Sequence, residues 1–324
     1  MSIYNSIKKY YNIMKFNLRD EKWAVILNPK AGKQRLRYDW VKMYRALKRA
    51  EMEFQVWTTE YAGHATEIAR HLVENGFRNL LLVGGDGTIN EVVNGIYTAN
   101  IEDKDQVSIA LIPYGTGNDW ARYWGLYKSD RKLSDRFYER RRVKVDLGCL
   151  TYHVDGEERK RYFINGLGVG FDGQVCKIME NMRRLLGGRS WVYVLSLLSA
   201  VFKWKPTKMH LVYDTEEIQD EVFTIAVGNG CYTGGGLKQV PADPTDGIFH
   251  INMLPRPTVK VILNALSYLF RGELWNCPYC VMRATKRFKI KNHDSQLIEV
   301  DGIVIDGHGP YIAEVIPSAL NMIV

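Results

Sequence analysis

Three short segments carry the residue types that phosphate chemistry needs. Gly84-Gly85-Asp86-Gly87-Thr88-Ile89-Asn90-Glu91 follows an apolar run and opens a helical pattern. Glycines let a backbone approach a ligand closely, and a helix N-terminus offers unpaired N–H groups to an anion. An acidic side chain in such a loop repels phosphate unless a cation lies between them, so Asp86 points to a Mg2+-nucleotide site. The plain alternative is a tight glycine turn with a capping Asp. Pro113-Tyr114-Gly115-Thr116-Gly117-Asn118-Asp119 ends another apolar run, and Asn28-Pro29-Lys30-Ala31-Gly32-Lys33 ends a third. Lys30 and Lys33 are placed either to neutralise phosphates or to sit solvated on the surface. A Walker A loop and a Rossmann glycine fingerprint are both absent.

Such loops need elements that bring them together. Trp23–Pro29, Phe54–Thr59, Leu80–Val83 and Val107–Ile112 read as strands. Between them, Leu36, Trp40, Met43 and Leu47, then Ala65, Ile68, Ala69 and Leu72, then Val92, Val93 and Ile96 recur at helical spacing. Near-continuous apolar strands alternating with helices predict a parallel sheet covered on both faces. Loops at the carboxyl ends of neighbouring strands then meet in one crevice. After about Val145 the pattern becomes mainly antiparallel β. Leu150–His153 and Arg161–Ile164 flank an Asp155-Gly156 hairpin signal. Strand-like runs follow at Met209–Tyr213, Val222–Val227, Ile248–Leu254, Phe288–Ile290 and Leu297–Val300. Helical patterns interrupt them at Trp191–Phe202 and Val259–Phe270.

The chain has 324 residues, 46% of them apolar and 25% charged, which excludes disorder, collagen and a disulfide mini-protein. No apolar run approaches the roughly 18 residues of a spanning helix. The net charge of +8 points to polyanions without choosing among them. Five cysteines, odd in number and mostly scattered, suit a reduced, intracellular setting. The first twenty residues carry Lys8, Lys9, Lys15 and Arg19 and lack a continuous apolar core. They read as an N-terminal extension rather than a signal peptide, with a basic amphipathic membrane helix as the alternative.

Taken in order, Asn28-Pro29 with Gly32, GGDGTINEVVNGI, PYGTGNDWAR and Val145-Asp146-Leu147-Gly148 resemble the diacylglycerol kinase catalytic family, in particular its bacterial soluble lipid kinases. These are relatives of sphingosine kinases and NAD kinases. Phe163-Ile164-Asn165-Gly166, Gly228-Asn229-Gly230, Gly234-Gly235-Gly236 and Pro241–Ile248 extend the match, so the resemblance covers roughly Lys22 to Val324. It implies a NAD-kinase-like α/β domain over 20–145, completed by about 311–324, and a β-rich substrate domain over 146–310. Residues 1–19 stay an extension. The implied activity is ATP- and Mg2+-dependent transfer of the γ-phosphoryl group to the hydroxyl of a diacylglycerol-like or sphingoid lipid. The protein would be cytoplasmic and peripheral to a membrane, with no nucleic-acid partner and a homodimer left open.

By position the resemblance assigns nucleotide binding to Asn28, Pro29, Lys30, Ala31, Gly32, Lys33, Thr59, Gly84, Gly85, Asp86, Gly87, Thr88, Ile89, Asn90 and Thr116. Asp86, Asp119 and Asp146 match acidic positions near the catalytic magnesium. Asp243, Asp246 and the carbonyl of Ile248 match a structural metal site; an Asp turn is the reading from the residues alone. One departure stands out. The family carries Asp-Gly-Glu where this chain has Asp301-Gly302-Ile303, and its Glu is assigned as proton acceptor. Asp301 is then the catalytic candidate beside Asp86, with Glu299 and Asp306 as substitutes. Two rivals follow: a NAD-kinase-like enzyme with a soluble acceptor, and a lipid- or nucleotide-binding protein with impaired catalysis. Cys277-Pro278-Tyr279-Cys280 lacks a second ligand pair for zinc. His64 reads as a cap or surface residue. Arg140-Arg141-Arg142 reads as a solvated face, and Trp191–Trp204 as core with Lys203 and Lys205 at a lipid-anchoring end.

Overall fold

The computed structural model describes residues 22–32, 35–126, 141–186, 196–197, 199–201, 204–214 and 216–324. Lys33, Arg140 and most of Trp191–Phe202 lie outside them, as does the N-terminal extension. Strand β1 (Lys22–Leu27), helix α1 (Arg35–Arg49), β2 (Glu53–Thr58), α2 (His64–Glu74), β3 (Asn79–Gly84), α3 (Asp86–Thr98) and β4 (Ser108–Pro113) alternate. The strands pair in parallel, in the order β2-β1-β3-β4. Side chains alternate between faces along a strand. Trp23, Val25, Leu81 and Val83 therefore pack against Met43 and Leu47 of α1, while Ala24, Ile26, Leu80 and Leu82 pack against Ile68, Leu72, Val92 and Ile96 of α2 and α3. Burial on both faces is why these strands read as continuous apolar runs.

The remaining strands are mainly antiparallel. After the short α4 (Asp119–Tyr123) come β5 (Arg142–Val154), β6 (Glu157–Phe163), β7 (Gly166–Gly170) and α5 (Phe171–Leu186). Then follow β8 (Thr207–Tyr213), β9 (Glu216–Gly228), the two-residue strands β10 (Tyr232–Thr233) and β11 (Leu237–Lys238), and β12 (Phe249–Pro255). Helix α6 (Val259–Arg271) precedes β13 (Val281–Thr285), β14 (Arg287–Ile290), β15 (Ile298–Val300), β16 (Ile303–Ile305) and β17 (His308–Ile323). β17 joins the halves: Asn321–Ile323 runs parallel to β4, Tyr311–Glu314 pairs antiparallel with β14, and β5 pairs antiparallel with β17 along most of its length. The result is one continuous sheet of 15 strands, with β10 and β11 pairing apart as a two-stranded hairpin.

The hairpin expected at Asp155-Gly156 forms, with both residues at positive φ (50° and 82°), as a tight two-residue turn requires. Several strands outrun their apolar signal. β9 begins with Glu216-Glu217-Ile218-Gln219-Asp220-Glu221, which is held by pairing with β8 rather than by burial. Helix α5 and strand β7 are additions to the expected elements. In α5 a signal exists, since Phe171, Val175 and Met179 recur at spacings of four and are buried. β7 is Gly-Leu-Gly-Val-Gly because a Cβ on Gly168 would sit 2.6 Å from Asp172 Cβ and 2.8 Å from Glu299 Oε1. Leu197, Ala200 and Val201 pack with Phe171 and Phe223, the core role expected for that stretch.

Candidate active site

The three loops converge at the carboxyl ends of β1, β3 and β4. Asn28 Nδ2 donates to Thr88 Oγ1 (3.0 Å), and Asn28 Oδ1 accepts from Lys30 N (3.1 Å). Lys30 Nζ donates to the Glu60 carbonyl (2.9 Å), and Thr59 is anchored by its N–H on the Leu27 carbonyl. The glycine loops touch: a Cβ on Gly85 would lie 2.5 Å from Gly115 Cα, and one on Gly115 2.6 Å from Gly85 Cα. Asn118, in the left-handed region at φ 53°, clamps Gly115 through Oδ1 on its N–H (2.7 Å) and Nδ2 on its carbonyl (2.8 Å). At Gly87 a Cβ would meet nothing within 4 Å, so the start of α3 faces open space. Glu91 turns away and caps α2 through the N–H groups of Gly63 and Ala65. His64 sits at the start of α2, where Nδ1 accepts from Glu60 N (3.1 Å). Gly115→Ala should therefore force the loops apart, lowering thermal stability by roughly 1–3 kcal/mol. ATP titration and a melting curve test this, and wild-type values in both would refute the contact.

Two carboxylates face each other across Gly117. A Cβ there would lie 2.9 Å from Asp86 Oδ2 and 3.5 Å from Asp119 Oδ2. Asp86 Oδ1 accepts from Trp120 N (3.2 Å), and Asp119 Oδ2 accepts from Gly235 N (2.8 Å), which draws the 234–236 loop over the first three loops. Asp119 Oδ1 is buried and has no hydrogen-bond partner. Burial pushes the Asp119 carboxyl up to about 6, with the neighbouring Asp86 charge adding to it. Burial also raises Asp86, against the pull of nearby backbone N–H groups. A buried, orphaned carboxylate oxygen beside a second carboxylate is costly until a cation is shared. No cluster of three His, Cys, Asp or Glu stands among the described residues. Two carboxylates with an open face suit Mg2+, which takes one or two carboxylates and completes its shell with water and phosphate oxygens. Arg122 lies beside Gly236, 3.1 Å from where its Cβ would be, and over the Tyr232 ring.

Asp301 has a different surrounding. Its Oδ1 accepts from Asn165 N and Gly166 N (3.0 Å each), and its Oδ2 from Ile164 N (2.9 Å) and Asn90 Nδ2 (2.7 Å). Burial pushes its carboxyl up, and these donors pull against it. With four donors in place, the carboxylate is a clamp joining α3, the turn before β7 and the β15–β16 turn. Asp301, expected as the proton acceptor, thus has both carboxylate oxygens occupied by donors from the chain itself. Asn90, expected at the nucleotide, is fully buried and bridges Asp301, the Tyr162 carbonyl and Arg161. Ile89 points into the core and its N–H is spent on the Gly85 carbonyl. A carboxylate of this kind cannot be told from a catalytic one by sequence, because its partners lie 135 to 211 residues away.

Known proteins resemble this chain over most of its length. Residues 22–150 match the diacylglycerol kinase catalytic domain, and residues 166–324 match a C-terminal NAD kinase beta sandwich-like domain. A Bacillus subtilis protein named "Putative lipid kinase YtlR" is 33% identical over 93% of this chain and 98% of its own length. The chain belongs to the diacylglycerol kinase catalytic family. A Bacillus subtilis diacylglycerol kinase in the same family is 27% identical over 86% of this chain and 88% of its own. The crystal structure of a diacylglycerol kinase from Bacillus anthracis superposes with a TM-score of 0.73 at 23% identity, covering 93% of this chain and 96% of that one. Yeast NADH kinase shares the fold at a TM-score of 0.51 and 11% identity, covering 94% and 83%. The family consists of phosphotransferases with an alcohol acceptor, and this chain is one of them.

Three other aspartates singled out through the family, Asp146, Asp243 and Asp246, gather around the 243–247 loop, where burial, and then the charges of Asp246 and Asp243, push the Asp146 carboxyl up. Asp146 accepts from Gly247 N and Ser318 N (2.7 Å each), so it ties β5 to β17 and to the 243–247 loop rather than facing Asp86. Asp243 Oδ1 accepts from Thr245 N (3.0 Å) and Thr245 Oγ1 (2.7 Å). Asp246 Oδ1 accepts from Ile248 N (3.1 Å), and its Oδ2 meets His250 Nε2 at 3.0 Å. Both aspartates of the expected metal site thus make turn contacts, and Ile248 contributes its N–H to one of them. Thr116 is exposed. Ile303, at the family's Glu position, is 39% exposed on β16. Asp306 lines an open cavity of about 920 Å3 behind the β15–β16 turn, with Gln174, Lys177 and Trp204, away from the glycine loops.

Glu299 is enclosed between α5 and β7, accepting from Gly302 N (2.6 Å). Asp172 beside it accepts from Thr224 Oγ1 and Gln239 Nε2 and is pushed by burial up to about 6. Burial, then the charges of Asp172 and Asp301, lift Glu299 to about 8. Both values lie above those of an unfolded chain, so this stabilisation is full only below about pH 4 and is lost as pH rises, through about 6 for Asp172 and through about 8 for Glu299. The wild type should lose melting temperature between about pH 4.5 and 8 and level off above that, and Glu299→Gln should remove roughly 3 kcal/mol or more of that loss. Identical pH profiles for the two proteins would place the ionisation elsewhere.

Proposed function

We propose that this protein is an ATP- and Mg2+-dependent lipid kinase that transfers the γ-phosphoryl group to the hydroxyl of a diacylglycerol-like or sphingoid lipid at a membrane surface. The observation that carries the reading is the Asp86–Asp119 pair, with its orphaned Oδ1, at the open N-terminus of α3 between touching glycine loops. Family membership supports a lipid acceptor. Bound Mg2+ would offset the triphosphate charge, held by Asp86 and Asp119.

The chain's own residues then position the reactants. The start of α3 and the glycine loops present N–H groups to the phosphates, and Asn28 with Thr88 fixes the first loop against α3. The acceptor oxygen attacks the γ-phosphorus, its bond to the β-phosphate oxygen breaks, and ADP leaves. A loose transition state needs little early base assistance, so the hydroxyl proton leaves late, to a phosphoryl oxygen or water. Neither Asp301 nor Ile303 takes it.

Labelled ATP offered with vesicles containing diacylglycerol or a sphingoid base, and separately with NAD, tests the reading. Label in an extractable lipid, dependent on Mg2+, is expected. Label in NAD alone, or ATP binding without turnover on any lipid, would overturn it. Among the described residues no helix is long and apolar enough to cross a membrane.

A further inference from the structure

Helix α6 carries two apolar faces where packing needs only one. Ile262, Ala265 and Leu269 are buried against the cluster of Phe171, Phe223 and Leu254. Val259, Leu263 and Phe270 are instead 58%, 56% and 54% exposed. At about 100° per residue these three fall within a stripe about 40° wide, with half-buried Leu266 at its edge. Lys260, Ser267 and Arg271 form the adjoining strip, also exposed. Helix α6 itself carries no Asp or Glu, whereas Lys260 and Arg271 are present; exposed Glu273 follows its C-cap, and Arg256 before it is paired with Asp220. Tyr279, just beyond the helix, is 49% exposed. Single exposed apolar residues are ordinary, but a stripe whose helix carries only cations as charges has the pattern of a helix lying in the headgroup zone of a bilayer.

The helix also stands next to the site. At its C-cap, a Cβ on Gly272 would lie 3.8 Å from the Lys238 side chain. Lys238 pairs with Tyr232 in the β10–β11 hairpin, and the loop of that hairpin supplies the Gly235 N–H to Asp119. A surface touching α6 therefore lies beside the segment that closes over the two carboxylates.

We propose that the outer face of α6, with Val259, Leu263 and Phe270 as the apolar contact and Lys260 and Arg271 as the charged one, docks the protein on an anionic lipid bilayer. Charge decides the occupant. A second copy seated on this face would set Lys260 and Arg271 against their own equivalents with no acid on the helix to offset them, whereas anionic headgroups offset them directly. The proposal rests on the lipid-acceptor reading above.

Sedimentation with vesicles of phosphatidylglycerol and phosphatidylcholine, and of phosphatidylcholine alone, tests it. The double variant Leu263→Gln/Phe270→Gln should bind the mixed vesicles at least about tenfold more weakly, because both side chains lose their apolar burial. Lys260→Gln/Arg271→Gln should lose several-fold in binding to the mixed vesicles at low salt only, and nothing on phosphatidylcholine. Phosphorylation of long-chain diacylglycerol in vesicles should fall with binding, while a short-chain diacylglycerol presented as monomers should be turned over by both variants at the wild-type rate. Wild-type vesicle binding by both variants overturns the docking face. So does a loss of monomer turnover together with binding, or a wild-type dimer in sedimentation velocity that Leu263→Gln/Phe270→Gln dissolves. If the wild type phosphorylates neither form of the lipid, the kinase reading fails while the sedimentation result still decides the docking face.

Discussion

Asp86→Asn is expected to lower ATP-dependent lipid phosphorylation by roughly 1000-fold or more, the scale of losing a preorganised charge-stabilising group at a reacting centre, while leaving the protein as stable as the wild type or more so. Asparagine keeps the shape of the side chain and the oxygen that accepts from Trp120 N. It loses the charge that faces Asp119 across Gly117. In the absence of a cation that charge is a cost, because both carboxylates are raised by burial and Asp119 further by Asp86. Removing it relieves repulsion in the free protein and removes the charge that a nucleotide-bound Mg2+ would meet. A loss of activity joined to an unchanged or higher melting temperature is the mark of a group kept for function at the expense of stability. Turnover near the wild-type level by a folded Asp86→Asn protein would falsify the metal-facing role. A fall in melting temperature that accounts for the lost activity would recast Asp86 as a cap of α4.

The parts of this molecule visible in its sequence are those whose physics is local. β1, β3 and β4 are covered on both faces, so each shows as an apolar run that stops at its loop. Gly85 and Gly115 are glycine because two backbones touch there, and their positions just after β3 and β4 mark the crevice in the sequence itself. Long-range pairings leave no such trace. Gly235 reaches Asp119 over 116 residues, and Asn90 reaches Asp301 over 211. The Gly234-Gly235-Gly236 run is recognisable as a motif, yet only folding shows that its backbone caps a carboxylate. Arg122 is hidden for the same reason. The polar half of β9 has no apolar period to read, since its register comes from β8. Asp301 shows the limit most plainly. An aspartate beside a glycine in a family motif looks like chemistry, but chemistry and anchoring use the same side chain, and only the count of donors around it separates them.

That count makes Asp301→Asn a test of stability first. Asp301 lies in the left-handed region at φ 47°, which asparagine tolerates as well as aspartate does, so the backbone of the turn survives the change. The four donors do not survive it equally. An amide offers one accepting oxygen where the carboxylate offered two, and its NH2 must face N–H groups of Ile164, Asn165 or Gly166 or the amide of Asn90. Leaving buried donors unpaired costs about 1–3 kcal/mol each, so a fall of roughly 3 kcal/mol in unfolding free energy is expected. Turnover should drop at the temperature where the variant begins to unfold and should return to within about tenfold of wild type on cooling. A general base behaves otherwise: its removal costs about 100-fold to 10000-fold at any temperature and leaves the melting curve alone. Ile303→Glu supplies the complementary measurement. The residue is more than a third exposed, so the substitution should change stability by less than about 0.5 kcal/mol. It restores the family's carboxylate on the strand that follows the Asp301 turn, and turnover should hold or rise. A cooled Asp301→Asn protein that is fully folded and still inactive would return the proton to Asp301, and an Ile303→Glu protein that loses activity would show that this cleft has been rebuilt around an apolar residue.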